Sequence, residues 1–265
     1  MANAVITGGT NGIGRSLAER LAREGHRVAV VGRSAVAPAG VELIRGDLST
    51  VAGTAAVAGE VVSRFDVVDH LVLGAGRFTR RRVVTADGLE HMFALSAVSR
   101  FALVERLLLA LERSAAPVVV SLCGVAGPRG PGIRWDDLSL SRGFRAFRAV
   151  SQGARAADLL GAGFADRHPD SAVRYVLHNP MFVDSGLGAQ VGGVRGRALD
   201  VVARLFARST ADAADQVHRF LADPPAERLT ASRAGTPIDL ARPEFDRAAA
   251  ARLYTVLDDI TASAR

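Results

Sequence analysis

Lysine is absent from all 265 residues, so each of the 33 basic side chains is an arginine. No lysine ammonium is therefore available to tune a neighbouring acid. Tyrosine is nearly absent too, with only Tyr175 and Tyr254. The single cysteine, Cys123, excludes an internal disulfide and fits a reducing cytoplasm; next to a strand it reads as a small core hydrophobe. No apolar run approaches the roughly 18 residues that cross a membrane. The chain opens almost at once on a strand-like run, without a signal peptide's basic region and apolar core. The formal charge of +6 is spread along the chain. Its one tight cluster, Arg80-Arg81-Arg82, reads as a solvated loop, so no nucleic-acid face is expected. No spacing of His, Cys and carboxylates points to a metal site. A cytoplasmic protein acting on a small molecule is the expectation that remains. The Ala, Arg, Gly and Val bias fits a GC-rich bacterial genome.

The organising stretch is residues 4–34. Ala4 to Ile6 reads as a buried strand, Thr7 to Gly14 as a glycine turn, Ser16 to Glu24 as a helix and Val28 to Val31 as a second strand. Glycines belong in such a turn because the backbone must bend sharply and approach a pyrophosphate. The following helix offers free N–H groups and the positive end of its dipole. After the second strand comes Arg33, where an acid would bind a ribose 2′-hydroxyl; a guanidinium suits a 2′-phosphate instead. NADP(H) is accordingly expected over NAD(H).

Further strands are predicted at Val41–Ile44, Val67–Leu73, Val118–Leu122 and Val173–Leu177, alternating with helices near 52–65, 87–113, 144–165 and the C-terminus. This alternation, without repeats or linkers, predicts one α/β domain over 1–265: a doubly wound parallel sheet with helices on both faces. The glycine-rich, irregular region 186–240 is expected to be a substrate-covering lid.

The pattern Thr7-Gly8-x-x-x-Gly12-x-Gly14 resembles the short-chain dehydrogenase/reductase family, whose glycine turn binds NAD(P). Trp135-Asp136-Asp137-Leu138 and the ending Arg252 to Leu257 are similar to the retinol-dehydrogenase-like branch, so the likeness spans nearly the whole chain. It implies a Rossmann-type fold. The implied cofactor contacts are Thr7, Gly8, Thr10, Asn11, Gly12, Ile13 and Gly14 in the turn, then Arg33, Asp47, Leu48, Ala75 and Gly76. Gln152, Pro180, Met181 and Val183 complete them. Leu73 and Gly74 replace the asparagines that usually brace this sheet, so those hydrogen bonds are expected to be lost.

The resemblance also implies an Asn-Ser-Tyr-Lys tetrad, and each position is changed. The Asn falls at Ser96, the Ser at Gly124, and Tyr-x-x-Ser-Lys falls on Arg148-Ala149-Val150-Ser151-Gln152. The remaining catalytic candidates are Arg148 as a charged donor, Gln152 towards a ribose hydroxyl, Ser96, and His178 at the end of the sixth strand. Four readings stay open: an enzyme with unconventional chemistry, a reductase with another proton donor, a silent subunit of an active homologue, and an NADP(H) sensor. The unconventional step could be a cyclisation, dehydration or isomerisation in specialised metabolism, on an aromatic or polyketide-like substrate. Helices 88–113 and 144–165 are those through which the family pairs subunits, implying a homodimer or homotetramer.

Overall fold

A computed structural model describes residues 1–34, 36–125, 127, 132–181 and 209–262. The short apolar runs become strands β1 (Asn3–Thr7), β2 (Arg27–Gly32), β3 (Glu42–Arg45), β4 (His70–Leu73), β5 (Val118–Leu122), β6 (Arg174–Asn179) and β7 (Leu229–Arg233), with a short β8 (Thr236–Pro237). Their order is β3-β2-β1-β4-β5-β6-β7-β8; all neighbours are parallel except β7 and β8. Strands covered on both faces must be apolar at every position, which is why Ala4-Val5-Ile6 and Val118-Val119-Val120 lack alternation.

Two helical layers do the covering. Helix α1 (Gly12–Arg23) and helix α6 (Thr210–Ala222) bury Leu17, Leu21, Val217 and Leu221 against Ile6, Val30, Val120 and Val176. On the other face lie α2 (Val51–Arg64), α4 (Ser99–Glu112) and α5 (Ala146–Arg167), with α7 (Arg247–Ala262) packed outside α5. The predicted stripe Phe93, Ala97, Phe101, Val104 and Leu107 is buried there. Glu90 caps the short α3 (His91–Phe93), its carboxylate accepting from the Phe93 N–H, so this helix starts later than the pattern suggested. Between α3 and α4 the chain makes a π-helical turn, Ala94–Val98, containing Ser96.

The expected lid needs correction. Residues 209–240 are built into the domain: Ser209 and Asp212 form a capping box for α6, and β7 pairs with β6 from Tyr175↔Leu229 to Asn179↔Arg233. The remainder of that region, 186–208, lies outside the described residues.

The loop before α5 is held by a carboxylate. Asp137 accepts from the backbone N–H groups of Arg142 (3.0 Å) and Ser141 (2.7 Å) and from the Ser141 hydroxyl (2.8 Å), with Arg134 nearby. These donors, the Arg142 and Ser141 amides foremost, hold its carboxyl down to about 2. An unfolded Asp titrates near ~3.9, so this stabilisation is complete above that pH and is lost as pH falls towards 2. Asp137→Asn should lower the melting temperature at neutral pH, and its deficit against the native protein should shrink from pH 4 down to pH 2. A deficit that stays constant in acid melts would refute the assignment.

Candidate functional site

At the carboxyl ends of β1, β2 and β4, where the strand order reverses, a cavity of about 750 Å³ opens. That size suits a nucleotide cofactor, and topological switch points are where open α/β sheets bind such ligands. Its floor is the glycine turn. Gly8 has φ +71°, and a Cβ there would lie 2.8 Å from the Gly74 carbonyl oxygen. A Cβ on Gly14 would lie 2.6 Å from the Gly8 oxygen. Both contacts are with backbone, so no side chain can yield, and only glycine lets α1 start this close to β1. Asn11 caps α1 from extended backbone without a side-chain hydrogen bond, and the first turn holds no acid. The N–H groups at the head of α1 are thus left for an anion, and the residues present fit the pyrophosphate of NAD(P).

Gly8, Thr10, Asn11, Gly12, Ile13, Gly14, Arg33, Asp47, Leu48, Ala75 and Gly76 all line this cavity. So do residues that pattern reading missed: Val31, Gly32, Gly74, Arg77, Phe78, His91, Leu95 and Leu122. Asp47 accepts from the Ser49 N–H (2.9 Å). Burial alone would raise its carboxyl, but Ser49, Arg33 and His91 together hold it below the usual range.

Thr7 does not line the cavity. It is buried, and its Oγ1 accepts from the N–H groups of Gly74 (3.1 Å) and Ala75 (3.2 Å) while donating to the Val72 carbonyl. It is a brace for the end of β4. A second brace was invisible in the sequence: Arg100, on α4 and 6% exposed, donates to Ser121 Oγ (2.8 Å), the Leu122 carbonyl (2.7 Å) and the Ala75 carbonyl (3.4 Å). The hydrogen bonds expected to vanish with the asparagines are therefore replaced by a hydroxyl and a buried guanidinium. Periodicity marked position 100 only as part of a helix, and nothing local pointed to the strand ends it reaches.

Three further expectations change. Gln152 is 1% exposed and fully engaged: its amide donates to the Leu138 carbonyl (2.7 Å) and accepts from the Arg134 N–H (3.0 Å). It clamps the loop before α5 and does not reach the cavity, so the cofactor and catalytic roles expected of it fall away. His178 is fully buried and packs edge-on against Phe220 of α6, with ring centroids 5.3 Å apart. It shares the strand face of Val176, on the α1–α6 side of the sheet, opposite α4 and α5. A catalytic role beside Arg148 is therefore not supported. Pro180 and Met181 follow β6 without lining the cavity, Met181 donating its N–H to Asn179 Oδ1 (2.8 Å). Val183 lies outside the described residues.

The register on α5 also shifts. The turn after β5 meets α5 at Gly124, where an added Cβ would lie 2.6 Å from the Ala154 Cβ. One helical turn earlier on that face is Val150. The pair four residues apart that faces Gly124 is therefore Val150 and Ala154, not Arg148 and Gln152. Gly124 itself is placed by Asn179, whose Nδ2 donates to its carbonyl (3.0 Å). Ser96 packs on the same helix, its Oγ lying 3.0 Å from where a Gly153 Cβ would be. Arg148 is half-buried, without a hydrogen bond or ion pair to any described residue. Cys123 is held with its thiol pushed well up, by burial first and then by Asp158, and is no nucleophile at neutral pH. Among the described residues no helix is long and apolar enough to cross a membrane.

The family model described as short chain dehydrogenase matches residues 2–135. The candidate daunorubicin C-13 ketoreductase DnrU of Streptomyces sp. strain C5 is 31% identical over 85% of this chain and 79% of its own length. Dehydrogenase/reductase SDR family member 12 of Bos taurus is 28% identical over 97% of this chain and 85% of its own. Some matches are partial: an oxidoreductase of Saccharomyces cerevisiae is 33% identical, but over 37% of this chain and 33% of its own length. Among solved structures, an uncharacterized protein from Mycobacterium paratuberculosis superposes with a TM-score of 0.72 and 26% identity, covering 99% of this chain and 94% of that one. With the glycine turn, the strand order and a matching family model over half its length, the chain belongs to the short-chain dehydrogenase/reductase family.

Proposed function

We propose that this protein is an NADP(H)-binding enzyme of bacterial specialised metabolism that works without the family's serine, tyrosine and lysine. One observation carries the reading: the chain keeps a well-formed nucleotide cleft, yet where the turn after β5 meets α5 it places Gly124 against Ala154, with Val150 one helical turn earlier. In the family these positions fix the substrate carbonyl and pass its proton. Here none carries an O–H or N–H side chain, and with no lysine anywhere none can be recruited. The bound cofactor would supply a hydride; the chain's own part is to bind, orient and exclude water. The head of α1 holds the pyrophosphate, Arg33 pairs with the 2′-phosphate, and the backbone at Ala75 and Gly76 admits the nicotinamide end. Arg148 lies two residues before Val150, about 200° round α5 from the face that meets Gly124, so it does not stand in for the lost tyrosine.

The proton of any reduction must then come from water or from the substrate. Cyclisation, dehydration or isomerisation of an aromatic, polyketide-like ketone suits this wall at least as well, and the similarity to a daunorubicin ketoreductase relative supports that substrate class. A second reading is favoured by Leu109 on α4 and Phe147 on α5, which are 73% and 63% exposed. These apolar side chains suit pairing with another copy, as homodimer or homotetramer, or with an active homologue that this chain would support silently.

Native mass spectrometry with NADP+, NADPH or NAD+, followed by turnover assays with simple ketones, tests the reading. A homo-oligomer holding NADP(H) and failing to oxidise NADPH with simple ketones is the expected result. Absence of bound nucleotide, or brisk ketone reduction, would contradict it. Arg33→Ala should weaken NADP(H) binding by about 10- to 100-fold, the worth of one or two charge-assisted hydrogen bonds, and barely change NAD(H) binding. Equal losses for both cofactors would show that Arg33 does not read the 2′-phosphate.

A further inference from the structure

One residue of the cleft has no part in the function proposed above. His91 opens α3, lines the cavity and is only 6% exposed. Its backbone N–H is taken by the Val83 carbonyl, yet its Nδ1 is sealed from solvent without a hydrogen-bond partner. A buried ring nitrogen left in this way has lost its hydration without compensation, and a ligand in the cavity can restore it. Rotation of the ring about its Cβ–Cγ bond presents either edge to that ligand.

The charges around this ring come from three other elements. Arg33 follows β2, Asp47 follows β3 and Arg77 follows β4, and all three line the same cavity. Burial first, then Arg77 and Arg33, press the imidazole below its ordinary value, with Asp47 opposing them. Two guanidiniums and one carboxylate leave a net positive surrounding, so the free ring is neutral near pH 7. A dianionic group seated between the two arginines would turn that surrounding negative and favour the imidazolium.

We propose that His91 is a proton-linked specificity residue: it takes a proton from solvent when a phosphate monoester on the adenosine ribose docks between Arg33 and Arg77. The cleft then reads a 2′-phosphate through three cations, the third appearing only with the ligand. This rests on the NADP(H) reading and adds a residue and a pH dependence to it. Because the complex holds more protons than the free protein, affinity for the 2′-phosphorylated nucleotide falls as pH rises, by up to about tenfold per unit. A nucleotide without that phosphate shows no such slope.

The probes are 2′,5′-ADP and 5′-AMP, with binding followed by calorimetry from pH 7 to 8.5 in buffers of different ionisation enthalpy. In this range the phosphate, whose second pKa is about 6, is already dianionic and adds little proton exchange of its own. The native protein should take up protons with 2′,5′-ADP and not with 5′-AMP. His91→Gln should still prefer 2′,5′-ADP, but without uptake and with a flat pH profile. Equal uptake in the native protein and His91→Gln overturns the role of His91 and leaves the NADP(H) reading standing. Equal affinity for the two probes overturns both. Where His91→Gln does not fold, NMR titration of the native His91 ring decides: a pKa raised by 2′,5′-ADP supports the proposal, and an unmoved one overturns it.

Discussion

Asn11→Asp should weaken NADP(H) binding by about 10- to 100-fold while leaving the melting temperature unchanged or slightly raised. Asn11 is exposed, sits at the N-cap of α1 in extended backbone and lines the cleft. Aspartate is among the best N-cap residues, and its charge meets the positive end of the helix dipole, so the fold tolerates it. That same carboxylate occupies the anion site and repels the pyrophosphate. Nucleotide affinity and stability therefore move in opposite directions, which separates loss of the site from loss of the fold. Gly14→Ala should also weaken binding, but by another route. Its Cβ would press on the Gly8 oxygen at 2.6 Å and on Gly9 Cα at 3.0 Å, so the turn itself must open. Here stability should fall as well, by the ~1–3 kcal/mol typical of overpacking, and the melting temperature with it. Calorimetric titration with NADPH beside thermal melts reads both variants. Unaltered affinity in Asn11→Asp would mean that the head of α1 does not hold the pyrophosphate.

Arg100→Met is expected to destabilise the domain by about 2–4 kcal/mol. The guanidinium is the donor that ties the Leu122 carbonyl at the end of β5 to the Ala75 carbonyl beyond β4. Methionine fills similar volume and relieves the cost of a buried charge, which offsets part of the loss. It leaves two carbonyls and the Ser121 hydroxyl without this donor, and it removes the positive charge near Asp158. Removing one member of a buried polar network usually costs more than the network's net worth. Because Ala75 and Leu122 at these strand ends both line the cleft, NADP(H) affinity should fall with stability. Arg100→Lys should recover only part of either, since one ammonium cannot replace a planar fork aimed at three acceptors. Thermal melts and NADPH titration of both variants check this. A methionine variant as stable as the native protein would show that Thr7 alone braces β4.

Much of the frame was legible in the chain. The βαβ unit at residues 4–34 appeared at its predicted place because strand, turn and first helix are set by near neighbours: apolar runs, glycine conformations and helical spacing. Position 33 was legible for the same reason, lying one residue past a strand whose end is easy to find. Where reading failed, the decisive partner was distant. Arg100 serves Ala75 and Ser121, Gln152 serves Leu138 and Arg134, and His178 meets Phe220. None of these pairs has a local signature. Residues 209–240 looked irregular because β7 is short and its pairing with β6 supplies order that composition does not show.

The sequence by itself determined the class of fold, the place of the glycine turn, and one firm chemical exclusion, since a chain without lysine cannot assemble a tyrosine–lysine pair. Tertiary structure alone decided which residues stand where that pair would be. Two residues along a helix turn a side chain by about 200°, so a register slip from 154 to 152 exchanges the cleft side of α5 for its buried side. Only the contact between Gly124 and Ala154 resolves that rotation, because the face a helix presents depends on what packs against it.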